Sequence, residues 1–189
     1  MVPTRKDAWT LLKEHTHSAS LIKHALAVEA AMRQYARRFG EDEELWGVTG
    51  LVHDFDYEEH PTAEEHPLLG ARMLEDMGWP QEVVLAIKGH GTHLDVPRSS
   101  KMAKTLFAVD ELTGLVMAAA LVRPGRDIST LKVKSVKKKI KDKGFARAVN
   151  RADIALGAEE LGVDMGEHIA VVIEAIQGIA DQLELGHGE

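Results

Sequence analysis

A chain of 189 residues with 44% hydrophobic and 28% charged side chains has an ordinary globular composition, long enough to bury a full core in one domain or in a domain with a helical extension. It has no run of about 18 apolar residues and no uninterrupted apolar stretch near its start, so a cytoplasmic protein without a membrane partner is expected. The absence of cysteine excludes disulfides, thiolate zinc sites and a cysteine nucleophile, and the net charge of -7 argues against whole-surface attraction to nucleic acid or anionic membrane.

Apolar residues recur at helical rather than strand spacing almost throughout, which predicts an all-α fold. Thr4 followed by Asp7 reads as a helix start, with Trp9, Leu11 and Leu12 continuing to about Glu14. Leu21, Ala25, Val28 and Met32 mark one face of a long helix from near Ser18 to about Arg38, which Gly40 stops. The next helix should run from Asp42 or Glu43 to about Asp54, with acids in its first turn where the helix dipole favours them. Pro61 breaks the connection that follows. Thr62 with Glu65 then reads as a capping box opening a helix through Leu69, Met73 and Leu74, ended by Gly78. Pro80 suits the first position of a helix from Glu82 to about Gly89, and Pro97 precedes another from about Ser100 to Leu121.

Arg123 to Asp127 (RPGRD) is the clearest long turn and the expected main boundary. It divides a helical core, 1–122, from a C-terminal part, 123–189, made of a lysine-rich segment and helices packed on that core. Helices are expected at Phe145 to Leu161 and Gly166 to Leu185, with a frayed tail beyond. Between Leu131 and Gly144 lie Lys132, Lys134, Lys137, Lys138, Lys139, Lys141 and Lys143, with Asp142 the only acid. Lys134, Lys137 and Lys141 fall at the spacing of one helix face. They offer either a solvated surface or a rim that gathers phosphate.

Candidate chemistry centres on Leu51-Val52-His53-Asp54, where an apolar pair leads into adjacent His and Asp as a helix ends. Neighbouring helical side chains diverge by about 100°, so the pair can share an ion only if the helix end turns them together. Other polar residues also sit against core-forming stripes: His24 beside Leu21, Ala25 and Val28; His66 before Pro67; His90 at the end of a helix; and Asp110 after Leu106-Phe107-Ala108-Val109. Unpaired charge in such places is costly, and a shared metal would relieve it for all of them. Asp56 is near enough in sequence to orient a ligand histidine, and His93 to serve as an outer ligand or substrate contact. A solvated position is the simpler reading for both. Glu111, next to Asp110, offers a general base or a surface salt bridge, and His15 and His17 should face solvent.

The order His24, His53-Asp54, His66, His90, Asp110 resembles the HD superfamily of metal-dependent phosphohydrolases, especially small bacterial HDIG-type members. The matching stretches are Lys23-His24-Ala25, Leu51-Val52-His53-Asp54, His66-Pro67-Leu68-Leu69-Gly70-Ala71, Ile87-Lys88-Gly89-His90 and Val109-Asp110-Glu111-Leu112-Thr113-Gly114-Leu115. The resemblance implies one or two divalent metal ions (Mn, Mg, Fe, Co, Ni or Zn). His24, His53, Asp54 and Asp110 would hold the first, and His66 and His90 would complete a second bridged by Asp54. It further implies hydrolysis of a small phosphorylated metabolite or nucleotide by a metal-activated water. Asp54, Glu111 and Lys134 are then the candidate catalytic residues. A diiron oxygenase built on the same ligands and a non-catalytic metal-bound regulatory domain remain open. Phe55-Asp56 stands where HDIG proteins have Ile-Gly, Tyr57 where cyclic-dinucleotide phosphodiesterases carry lysine, and Tyr57-Glu58 where alarmone hydrolases carry an acidic pair. Nucleic acid is disfavoured as a partner, because the lysine run lacks interleaved aromatics.

Overall fold

A computed structural model describes residues 2–186 as ten α-helices, with no strand among the described residues. They are α1 (Arg5–His15), α2 (Ala19–Phe39), α3 (Glu43–Val52), α4 (Leu68–Asp76), α5 (Gln81–His90), α6 (Lys101–Leu121), α7 (Val133–Lys141), α8 (Arg151–Leu161), α9 (Met165–Gln177) and α10 (Ala180–Leu183). Most of the tail expected to fray lies outside the described residues.

The starts and stops follow from local chemistry. Thr4 and Asp7 form a reciprocal capping box on α1. Asp42 accepts from the Leu45 N–H at 2.9 Å to open α3, and Ser100 accepts from the Ala103 N–H at 3.1 Å to open α6. Gly40 ends α2 at φ 68°, in the left-handed region that costs glycine little.

Three expectations are corrected. The helix anticipated from Thr62 begins at Leu68. Thr62 does bond Glu65 side chain to side chain at 3.1 Å, but the residue before a proline is pushed away from the helical region, and His66 precedes Pro67. The helix anticipated from Phe145 begins at Arg151. Asn150 caps it by accepting from the N–H groups of Ala152 (3.0 Å) and Asp153 (3.3 Å), while the Arg151 guanidinium holds the preceding turn by donating to the carbonyls of Ala146 (2.6 Å) and Val149 (2.8 Å). The last helix is divided at Gly178 into α9 and α10.

The core is built around α2, α3 and α6. Leu26, Val28 and Met32 of α2 pack with Val48, Leu51 and Val52 of α3 and with Leu106, Val109 and Leu112 of α6, all buried. A side chain at Gly50 would meet Met32 Cγ at 2.9 Å, so the close approach of α2 and α3 requires glycine there. The C-terminal helices lie on this core, α8 against α6 and α9 against α2 and α6. At Gly157 a Cβ would fall 2.6 Å from Ala108 Cα, two residues before Asp110.

A buried hydrogen-bond chain fixes the relation of α2, α6 and α9. His168 is fully buried, and its Nε2–H donates to the Ala108 carbonyl at 2.9 Å. That leaves Nδ1 to accept from the Tyr35 hydroxyl at 2.6 Å. Burial pushes the His168 imidazole below its ordinary pKa, in keeping with a neutral ring. At the other end of α2, Glu58 accepts from the N–H groups of His17 (2.8 Å) and of Ser18 (2.9 Å), the residue that caps the helix. Because Glu58 follows the His53-Asp54 pair closely, this bond ties the site-bearing loop to α2. His15 is correspondingly not free in solvent; it pairs with Glu59 at 2.9 Å.

Candidate metal centre

Helix α3 stops at Val52, with His53 as its cap and Asp54 in the following turn, so the adjacent pair is no longer forced to diverge. Around it the fold gathers His24 from α2, His66 from the turn before α4, His90 from the last position of α5 and Asp110 from α6. His24, His53, Asp54 and Asp110 form one group whose ligand atoms all lie within 4.8 Å of one another, and Asp54, His66 and His90 form a second. Asp54 belongs to both. Its Oδ2 lies 3.4 Å from His53 Nε2 and 3.9 Å from His24 Nε2, and its Oδ1 lies 3.2 Å from both His66 Nε2 and His90 Nε2. Asp110 Oδ1 is 3.0 Å from His24 Nε2 and 3.4 Å from His53 Nε2.

Three of the four rings are set in one tautomer by their outer nitrogens. His53 Nδ1–H donates to the Gly50 carbonyl at 2.8 Å, and His90 Nδ1–H to the Ile87 carbonyl at 2.6 Å. His66 Nδ1–H donates to Asp56 Oδ1 at 2.9 Å. Each neutral ring therefore presents an Nε2 lone pair to the cluster, the form in which imidazole ligates a metal. Two of the converging atoms, His53 Nε2 and Asp54 Oδ1, are buried without a hydrogen-bond partner among the described residues. Orphaned donors and acceptors of this kind are costly unless something binds them. A mixed imidazole and carboxylate set suits a divalent cation of the Mn to Zn series, and its carboxylates also admit Mg.

The electrostatics agree. Burial opposes charge on His53, yet the Asp54 and Asp110 carboxylates outweigh it and hold this imidazole well above its usual range. The same contest, with Asp54 and Asp56 against burial, lifts His66 to about 9. Asp54, despite its burial, is held well below the carboxylate range by His53, with help from His66 and His90. Asp110 is lowered in the same way by His24 and His53. The carboxylates demand positive charge, which protons on the rings supply or a metal ion supplies in their place.

Asp56 was expected in solvent and is 1% exposed. One oxygen accepts from His66; the other accepts from the Gly70 N–H at 2.9 Å. A Cβ on Gly70 would fall 2.5 Å from Asp56 Cγ, so only glycine leaves room for the carboxylate. His93 is also more than a solvated residue, since its Nε2–H donates to the His66 carbonyl at 3.1 Å and its ring lines the cavity beside the cluster. That cavity has a volume of about 300 Å³ and opens to solvent.

Glu111 lines it too and makes no salt bridge among the described residues; the Asn150 N–H donates to its Oε2 at 3.0 Å. Burial and the charge of Asp110 push its carboxyl up to about 7. Lys134 does not join the site. It is exposed on α7, which buries Val136 and packs Val133 and Ile140 on the core, so the lysines face outward and none lines the cavity. Asp153 of α8 completes the wall, and nothing in its sequence surroundings marked it.

An all-helical chain that folds four histidines and two aspartates from five separate stretches onto shared points defines a protein equipped to hold divalent metal. The HD domain family matches residues 21–115, just over half of the chain, and all six cluster residues fall within the match. The chain belongs to this family, whose superfamily consists mostly of metal-dependent hydrolases. No curated protein and no solved structure matches the chain. No helix among the described residues is long and apolar enough to cross a membrane.

Proposed function

We propose that this protein is a metal-dependent phosphohydrolase acting on a small phosphorylated metabolite or nucleotide. The observation that carries the reading is the convergence of buried, unpartnered His53 Nε2 and Asp54 Oδ1 with the other ligand atoms at the floor of an open cavity. His24, His53, Asp54 and Asp110 would hold one ion, and His66 and His90, sharing Asp54, a second. Such ions supply Lewis acidity toward a phosphoryl oxygen and make water acidic enough to attack near neutral pH.

The remaining roles belong to the chain. Asp54 faces both ligand groups and fixes their separation. Asp56 keeps the His66 ring turned inward. Glu111 has one oxygen held by the Asn150 N–H and the other without a hydrogen-bond partner among the described residues, and at the cavity wall beside Asp110 it would act as the proton acceptor. Phe107 and Tyr57 give the same wall apolar surface for the departing group.

The test is phosphate release by metal-stripped protein reloaded with Mn, Mg, Fe, Co, Ni or Zn in turn, over a panel of phosphomonoesters and nucleotides. Turnover should depend on the metal, vanish with chelator and be lost in a folded Asp54→Ala variant. Full activity in Asp54→Ala would defeat the reading. So would oxygen consumption by iron-loaded protein without phosphate release from any ester.

A further inference from the structure

The cavity has a charge pattern that the metal centre does not account for. Beyond the ligand cluster its wall carries two acids, Glu111 from α6 and Asp153 from α8, and no lysine or arginine among the described residues. Asn150 fixes both acids at once. Its backbone N–H donates to Glu111 Oε2 at 3.0 Å, and its side-chain N–H donates to Asp153 Oδ2 at 2.7 Å. Asn150 is itself held as the cap of α8 through its own Oδ1. The second oxygen of each acid has no hydrogen-bond partner among the described residues and is free to meet a ligand.

Nearby cations are engaged elsewhere. The Arg98 guanidinium lies 3.8 Å from the centroid of the Phe107 ring, but it is bound to Glu160 by two bonds of 2.7 Å and to the Gly89 carbonyl at 2.8 Å. The lysines of α7 stand on the outer surface.

We propose that the substrate is a phosphomonoester with a single phosphate, whose alcohol part carries hydroxyl or ammonium donors, and that Glu111 and Asp153 exclude di- and triphosphates. The proposal rests on the phosphohydrolase reading and narrows its substrate class. One phosphate at the cluster meets the positive charge held there. A second or third would lie in a cavity of about 300 Å³ against two carboxylates with no lysine or arginine lining the wall, and Arg98, whose charge reaches Asp153, is itself paired with Glu160. The alcohol of a monoester meets the same carboxylates as hydrogen-bond acceptors, which reward O–H and N–H groups. Asp153 is thus a specificity-determining residue.

The experiment has a binding arm and a turnover arm, both on Mn-loaded full-length protein. Calorimetry with inorganic phosphate and with tripolyphosphate should show the single phosphate bound more tightly, by about tenfold or more. Asp153→Asn, which keeps the size of the side chain, should cut that preference by about tenfold, mainly through tighter tripolyphosphate binding. Chelation of the metal by tripolyphosphate would not respond to this substitution, so the change marks the wall. In the turnover arm, kcat/KM for a nucleoside monophosphate should exceed that for its triphosphate, and Asp153→Asn should narrow the ratio. Equal binding of the two anions, binding of neither, or a preference unchanged by Asp153→Asn would overturn the proposal. Selective phosphate binding with no ester hydrolysed would support the charge selection while overturning the hydrolase reading. Equal turnover of mono- and triphosphate would do the reverse.

Discussion

Replacing Gly70 by alanine perturbs the centre without touching any ligand. The added methyl would sit 2.5 Å from Asp56 Cγ and 2.7 and 2.8 Å from its two oxygens, closer than nonbonded carbon approaches anything. Gly70 cannot retreat freely, because its N–H donates to the same carboxylate at 2.9 Å and it lies inside α4. Asp56 must therefore move, giving up its 2.9 Å bond from His66 Nδ1–H. A hydrogen bond to a charged group contributes about 1.5–3 kcal/mol. Loss of such an orienting partner lowers metal affinity by about 10–100-fold. An opposing effect exists, since alanine is favoured over glycine in a helix by about 1 kcal/mol. Stability of the metal-free protein should therefore change by less than the loss in binding implies. Competition titration with a chromophoric chelator reads the affinity, and urea unfolding reads the stability. Asp56→Asn, which has the same shape without the charge, should fall between wild type and Gly70→Ala in affinity. Wild-type metal affinity in Gly70→Ala would refute the role assigned to Asp56.

Tyr35→Phe removes the hydroxyl that donates to His168 Nδ1 and leaves that buried atom unsatisfied. A loss of about 1–3 kcal/mol in urea unfolding is expected, and an unchanged midpoint would contradict the hydrogen-bond chain. Metal affinity should also climb with pH. His66 is raised from 6.5 to about 9, so across that window the metal-free protein holds a proton that must leave when the ring ligates. Affinity should rise across that window, with proton release visible as a dependence of the calorimetric heat on the buffer; a flat profile from 6.5 to 9 would contradict it.

The helices were largely legible because their ends are encoded locally, as at Thr4 with Asp7, Asp42, Ser100 and Gly40. Expected and observed boundaries differ where a nonlocal or competing constraint decides them. Pro67 overrode the capping pattern at Thr62, and the Arg151 guanidinium, bonded back to the carbonyls before it, replaced the expected first turns of α8. Among candidate site residues, the six that the fold brings together share a signal, a polar side chain set against an apolar stripe. Asp56 had a weaker signal, two positions beyond Asp54, and only the packing of α4 shows it buried. Asp153 had none, because it reaches the cavity through the packing of α8 on α6 rather than through any local pattern. Lys134 shows the opposite failure. A charged run at helical spacing says that one face is basic, but the buried Val136 decides that this face looks away from the core.

Metal binding in one small volume between α2, α3, α5 and α6 underlies every role proposed above. An anomalous-difference map from crystals of Mn- or Zn-loaded protein tests it most directly. A peak is predicted among His24, His53, Asp54 and Asp110, with a second between Asp54, His66 and His90 where two ions bind. A fully loaded protein whose peaks lie elsewhere, with no ion among these six side chains, would contradict it.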